Sequence, residues 1–234
     1  MEFKDKVVIV TGGAQGIGKT IKEAFENEGA RVYVIDIQNG NHFVGDVSKK
    51  EDLEEFVKFI LENENRVDYI INNAVPLFKG INECSYDEFV YAINVGATSV
   101  FYLTKLLHPN LADNSVIINI TSTRDNQSMP QSESYAAAKG AMKALTHALA
   151  VSLGPKTRVN AIAPGWIETN NKVYSGSDAN QQPVGRVGTP KDISELVLFL
   201  CSNKATFITG QEFVVDGGMS KLMIYHDEHG WKKE

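Results

Sequence analysis

Residues 6–29 read KVVIVTGGAQGIGKTIKEAFENEG, and their order decides the fold. Lys6 to Val10 is a short β-branched run without polar alternation, the pattern of a strand buried on both faces. Thr11-Gly12-Gly13-Ala14-Gln15-Gly16-Ile17-Gly18 follows at once, and a helical pattern then runs to Gly29. Strand, glycine-rich turn and helix N-terminus make an anion site, because free backbone N–H groups and the helix dipole face the turn. The glycines, spaced Gly-x-x-x-Gly-x-Gly, let the backbone come close to a pyrophosphate and let the helix pack on the strand.

The next strand, Arg31 to Ile35, ends in Asp36, 18 residues after Gly18. A carboxylate there is placed to accept hydrogen bonds from an adenosine ribose and to repel a 2′-phosphate. Ile37, Gln38 and Gln15 offer no cation to receive such a phosphate, so the expected cofactor is NAD rather than NADP.

Alternation of strand and helix continues. His42 to Val44 is a short strand followed by Asp46-Val47, and residues 50–64 form an amphipathic helix with Leu53, Phe56, Val57, Ile60 and Leu61 on one stripe. Val67 to Ile71 runs into Asn72-Asn73-Ala74-Val75-Pro76, and residues 86–107 read as one long helix. Asn94 lies inside it, a poor helix former whose neighbours Ile93 and Val95 predict burial. Val116 to Ile120 is a strand ending in Thr121-Ser122-Thr123-Arg124, and Arg158 to Ala163 is another, broken by Pro164-Gly165. Residues 170–190 are polar without periodicity, the mark of a functional loop. A helix at 191–201 and a strand from Glu212 to Val215 complete the series. The pattern predicts one α/β domain, a doubly wound parallel sheet of about seven strands with helices on both faces. Ligands of such sheets sit beyond the carboxyl ends of the strands, where the glycine turn, Asp36, Asn73, Ser122 and Gly165 all fall.

The helical run SYAAAKGAMKALTHALAVSL, residues 134–153, places Tyr135 and Lys139 four apart on one face. A free tyrosine, with a pKa near ~10, is a poor base at neutral pH. An ammonium one turn away favours the phenolate and is expected to lower that pKa. The three alanines between them leave room for a cofactor or a neighbouring helix. A plain surface pair would have the same spacing; the rest of the chain decides for chemistry.

Composition excludes several classes. The 234 residues carry a formal net charge of -6, against nucleic acid as a partner and without a basic run for a membrane surface. No segment reads as the ~20 apolar residues of a membrane helix. The N-terminus MEFKDKVVIVTGG lacks the features of a signal peptide. Cys84 and Cys201 lie far apart and read as reduced, buried thiols of a cytoplasmic protein. His226 and His229 read as a solvated tail, and no metal is expected.

From Lys6 to about Gly218 the chain resembles the short-chain dehydrogenase/reductases. The matching pieces, in order, are TGGAQGIG, Asp36, Asp46-Val47, NNA at 72–74, Asn94, Ser122, YAAAK at 135–139, PGWIET at 164–169 and VDGG at 215–218. Ser122 stands thirteen residues before Tyr135, the family's usual interval. The resemblance implies a Rossmann fold over residues 1–218, with a substrate loop at about 170–190 and a tail at 219–234. It implies that Tyr135 is the general acid/base, that Lys139 tunes it and holds the nicotinamide ribose, and that Ser122 hydrogen-bonds the substrate oxygen. Asn94 would kink its helix and hold a proton-relay water. Gly12, Gln15, Gly16, Ile17 and Gly18 would cradle the pyrophosphate, with Asp36 and Ile37 at the adenosine ribose and Asp46 and Val47 at the adenine. Asn73 and Ala74 would lie along the cofactor, and Ile167 and Thr169 would hold the carboxamide.

Two departures stand out. The family usually has glycine after Asn-Asn-Ala, where this chain has Val75-Pro76, and proline restricts Val75 to extended geometry. The chain also continues past VDGG with SKLMIYHDEHGWKKE. The implied activity is hydride transfer between NAD(H) and a secondary alcohol or ketone by a homotetramer; the polar loops 122–133 and 166–187, with the flat face of Trp166, point to a sugar or polyol as the substrate. A 3-oxoacyl carrier-protein reductase and a non-catalytic NAD-sensing protein are the alternatives. Asp36 and the acidic balance stand against the first, and the intact Asn94, Ser122, Tyr135 and Lys139 against the second.

Overall fold

Seven strands form one parallel sheet: β1 Val7–Thr11, β2 Arg31–Asp36, β3 Phe43–Val44, β4 Val67–Asn72, β5 Leu111–Ile120, β6 Thr157–Pro164 and β7 Glu212–Val215. Their order is β3-β2-β1-β4-β5-β6-β7, and every pairing is parallel. The computed structural model describes residues 1–223, 225 and 227, so His226 and His229 lie outside the described residues.

The continuous apolar strands follow from burial on both faces. Val8 and Val10 of β1 join one core with Ile21 and Phe25 of helix α1 (Gly16–Asn27). Val7 and Ile9, pointing the other way, join a second core with Leu53, Phe56 and Ile60 of α2 (Lys50–Leu61).

The crossover from β4 to β5 departs from expectation. It is not one helix over 86–107 but α3 (Tyr86–Ile93), a π-helical turn (Asn94–Thr98) and α4 (Ser99–Leu107). The break begins at Asn94, whose side chain accepts a hydrogen bond from Thr98 Oγ1 at 3.0 Å. Asn94 is half-buried rather than buried, because its side chain turns along the helix surface to Thr98, a contact that is itself exposed. Contrary to the expectation from sequence, the stretch Tyr86–Asn110 does reach membrane-spanning length and hydropathy. Half of its 18-residue apolar window is buried within the protein, and Leu103 and Leu107 join the second core, so it is a core helix here.

Three smaller differences have physical causes. β5 starts at Leu111 rather than Val116, because residues 112–115 are a polar irregularity where the pairing with β4 shifts. The 170–190 segment contains one short helix, α6 (Ser177–Asn180), and Gly188 bridges to Ile167. Cys201 is buried, but Cys84, just before the first turn of α3, is only half-buried.

The remaining helices are α5 (Glu133–Leu153) and α7 (Pro190–Cys201). A buried polar chain fixes α5 on the sheet: Asn72 Nδ2 donates to Asn119 Oδ1 at 2.8 Å, Asn119 Nδ2 to Thr146 Oγ1 at 2.9 Å, and Thr146 Oγ1 to the Met142 carbonyl at 3.0 Å. Each buried group in that chain finds a partner, so the chain selects one seating of the helix.

Candidate active site

Sheet order reverses between β1 and β4, and a cleft of about 560 Å³ opens at their carboxyl ends. Eleven expected cofactor residues line it: Gly12, Gln15, Gly16, Ile17, Asp36, Ile37, Asp46, Val47, Asn73, Ala74 and Thr169. Gly18, Tyr135, Lys139 and Ile167 do not.

The glycine turn is built for close approach. Gly12 and Gly16 have φ of 68° and 55°, and a Cβ on Gly12 would lie 2.9 Å from Ala74 Cα. A Cβ on Gly18 would run into the Gly12 carbonyl and the Asn73 amide, so Gly18 serves helix–strand packing beneath the cleft rather than its wall. The first turn of α1 holds no acidic residue, leaving its positive end open to an anion.

Asn73 acts as a strut. Its Nδ2 donates to the Thr11 carbonyl at 3.1 Å and the Gly12 carbonyl at 2.8 Å. Thr11 Oγ1 accepts from the amides of Asn73 and Ala74, both at 3.0 Å. Thr11 was missed as a site residue, although a β-branched hydroxyl at the strand's end is the signal that marks it. Asp36 closes the turn from the other side, with Oδ2 accepting from Ala14 N at 2.9 Å and Oδ1 from Gln38 N at 3.0 Å. Asp46 accepts from Ser48 N at 2.9 Å and from the hydroxyl of Tyr91 at 3.4 Å; Tyr91, also missed, lines the cleft one turn before Asn94. Val75 takes no left-handed backbone and lines the cleft, largely exposed.

Beside the cleft stand Ser122, Tyr135 and Lys139. The π turn connects the two regions: Val95 lines the cleft, while Gly96 packs so tightly on Ala138 that a Cβ would lie 2.7 Å from the alanine Cβ. Small residues between Tyr135 and Lys139 thus admit a neighbouring helix. Lys139 is 1% exposed; its Nζ donates to the Ile120 carbonyl at 2.6 Å and lies 5.7 Å from the Tyr135 ring centroid. Burial pushes the lysine down to about 7. The lowering of Tyr135 by Lys139 expected from their spacing is not found among the protein's own groups. Burial instead pushes the phenol up, opposed by a hydrogen bond with Ser122 and by the charge of Arg124. Lys139 lies over the ring face and is itself desolvated, so it gives up part of its charge at neutral pH.

A wall covers Tyr135. Ser134 Oγ shares its one proton between the carbonyls of Leu77 and Lys79, both at 2.8 Å, and accepts from Lys79 N at 2.9 Å. Asn82 N donates to Gln131 Oε1 at 3.0 Å, and Phe78 lays its ring 5.4 Å from that of Tyr135. Trp166 packs edge-on to Tyr174, centroids 4.7 Å apart, and Ile167 packs against Gly188, both away from the nucleotide cleft. Thr169 does reach it, with Cγ2 3.3 Å from where a Cβ on Gly16 would stand.

Residues 12–220 match the family model described as enoyl-(acyl carrier protein) reductase. An uncharacterized oxidoreductase of Thermotoga maritima is 38% identical, covering 96% of this chain and 100% of the relative. An apo SCOR enzyme from Clostridium thermocellum superposes with a TM-score of 0.91 at 44% identity, covering 98% of each chain. Aldohexose dehydrogenase from Thermoplasma acidophilum, in ligand-free form, gives a TM-score of 0.88 at 28% identity, covering 97% of this chain and 98% of that one. Glycine turn, sheet order and near full-length similarity agree: the chain is an oxidoreductase acting on CH–OH and keto groups, and it belongs to the short-chain dehydrogenase/reductase family.

Proposed function

We propose that the protein is an NAD-dependent dehydrogenase of a sugar or polyol, with Tyr135 as its general acid/base. The observation that carries this reading is the clustering of Ser122, Tyr135 and Lys139, joined through Ala138 and Gly96 to a cleft whose lining holds Asp36 and no lysine or arginine. The cradle fits a dinucleotide: glycines stand where a side chain would intrude, and an acid-free helix N-terminus faces a pyrophosphate. Asp36 accepts ribose hydroxyls and rejects a 2′-phosphate, for which the lining offers no cation.

The nicotinamide, when bound, supplies the hydride acceptor or donor. Ser122 orients the substrate oxygen and steadies the charge that develops on it. Tyr135 takes or returns the hydroxyl proton. Lys139 titrates near neutrality and passes protons toward solvent past Asn94. The loop 122–133 and the segment 166–187 are polar, and a site built to bind several hydroxyls rejects analogues that lack them. The similarity to an aldohexose dehydrogenase supports a sugar, and the family model's description supports the carrier-protein alternative. Against the latter stand Asp36 and a net charge of -6, unsuited to an acidic carrier and NADP.

The reading includes a cytoplasmic homotetramer. Unpaired Cys84 and Cys201 suit a reducing compartment, and Phe101 of α4 and Val151 of α5 expose apolar surface. The test is a panel of sugars, polyols, steroids and acyl thioesters with NAD, NADH, NADP and NADPH, followed at the nicotinamide absorbance. Turnover of polyols or sugars with NAD is expected. Turnover of steroid or acyl substrates alone would overturn the substrate class.

A further inference from the structure

Arg124 stands two residues after Ser122, at the start of the loop that covers Tyr135. Its guanidinium lies over the Phe78 ring, 5.3 Å from the centroid, and Phe78 in turn lies against Tyr135. The cation is therefore held by an aromatic face beside the proposed acid/base, and its charge is felt there.

No carboxylate neutralises it among the described residues. Among the described residues its side chain has one polar partner, the weakly accepting Met129 Sδ, 3.1 Å from Nη2. Two acids of the same loop were available and are committed elsewhere. Asp125 turns inward, its side chain fully buried 3.5 Å from Lys143, which also pairs with Glu212 at 2.5 Å. Glu133 accepts from Ile81 N at 3.2 Å. The other four arginines are engaged: Arg31 with Glu64, Arg66 with Asp68, Arg186 with Asp192, and Arg158 with the carbonyls of Ser202 and Ile208. A half-buried planar fork with donors to spare, one aromatic ring away from Tyr135, matches an oxyanion in a way that a neutral hydroxyl does not.

We propose that Arg124 anchors an anionic group of the substrate, so that the enzyme acts on acidic sugars or polyols: hydroxy or oxo compounds bearing a carboxylate or a phosphate ester. This rests on the reading of the site as an NAD-linked alcohol dehydrogenase, which it narrows. The oxyanion meets the guanidinium while the carbinol to be oxidised lies against Tyr135.

The experiment compares wild type, Arg124→Gln and Arg124→Lys on matched compounds: a hexose, its aldonate and its phosphate ester. A charge-assisted pair is worth roughly 10- to 100-fold in affinity. The ratio of kcat/KM for acid over neutral compound should fall by about that factor in Arg124→Gln, and by less in Arg124→Lys, which keeps the charge but not the fork. The acid that shows the larger loss, aldonate or ester, identifies the oxyanion. Binding is read separately by calorimetry, titrating each acid into protein saturated with NADH, whose own binding shows that the variant is folded. Acid binding lost in Arg124→Gln supports the anchor whether or not that compound is turned over. Equal binding of the acids to wild type and Arg124→Gln, or binding to neither, overturns it. Turnover of neutral polyols alongside that result would leave the dehydrogenase reading standing.

Discussion

Lys139 Nζ lies 5.7 Å from the centre of the Tyr135 ring and spends a hydrogen bond on the Ile120 carbonyl. A lysine so placed is costly to bury, and burial holds it at about 7 against an ordinary value of 10.5. The penalty is absent above about pH 10.5, where the unfolded lysine is also neutral. It grows as pH falls toward 7 and is constant below.

Lys139→Met should therefore raise the thermal midpoint of the protein at pH 7 while lowering turnover by about 100-fold or more. Thermal melts at pH 6, 7, 9 and 10.5, without added cofactor, check this. The gain should be largest at pH 6 and 7 and shrink toward 10.5. A variant less stable than wild type at neutral pH would show that the lysine is structural.

Asp125 offers the opposite sign. Burial and the neighbouring Glu212 push its carboxyl up to about 7, while Asp125 itself, Lys143 and Thr121 hold Glu212 down against its own burial. Asp125 is thus the member of the pair that keeps the proton. Its cost is absent below about pH 4, accumulates between 4 and 7 and is constant above. Asp125→Asn should become more stable relative to wild type as pH rises through that window. Parallel stability curves from urea titrations would contradict the assignment.

Cofactor choice turns on Asp36, which faces a cleft lined without cations. NAD should bind more tightly than NADP, and Asp36→Ala should narrow the difference by roughly 10- to 100-fold, the scale of a removed like-charge contact. Fluorescence titrations of NADH and NADPH measure it. Comparable dissociation constants in wild type would remove the basis for NAD.

Assembly is the fourth expectation. Phe101 and Val151 should lie in subunit interfaces, and light scattering should give a tetramer at micromolar concentration. A stable monomer would contradict it. Phe101→Glu should shift the protein toward smaller species.

Much of this was legible in residues 6–36, because strands buried on both faces read as unbroken apolar runs and because glycines mark the turn. Asn94 was legible as a disturbance of its helix, but not as the start of a π turn, which follows from how the helix meets Gly96 and Ala138. The Asn72–Asn119–Thr146 chain was hidden, since three polar residues far apart in sequence give no periodic signal. Asn73 was legible as a residue of the cleft but not as a strut, because its partners are backbone carbonyls of Thr11 and Gly12. The electrostatics of Tyr135 were misread for a related reason: helical spacing gives proximity, while burial, set by the wall from Phe78 to Gln131, decides the charge.

The central claim is that Tyr135 moves the substrate proton. Tyr135→Phe keeps the ring that packs on Phe78 and removes only the hydroxyl. Steady-state turnover of a reactive sugar or polyol at saturating NAD, with NADH affinity measured on the same preparation, tests it most directly. The account predicts a fall of about 10²–10⁴-fold in kcat with NADH affinity within a few-fold of wild type. Near-normal turnover by Tyr135→Phe would contradict it.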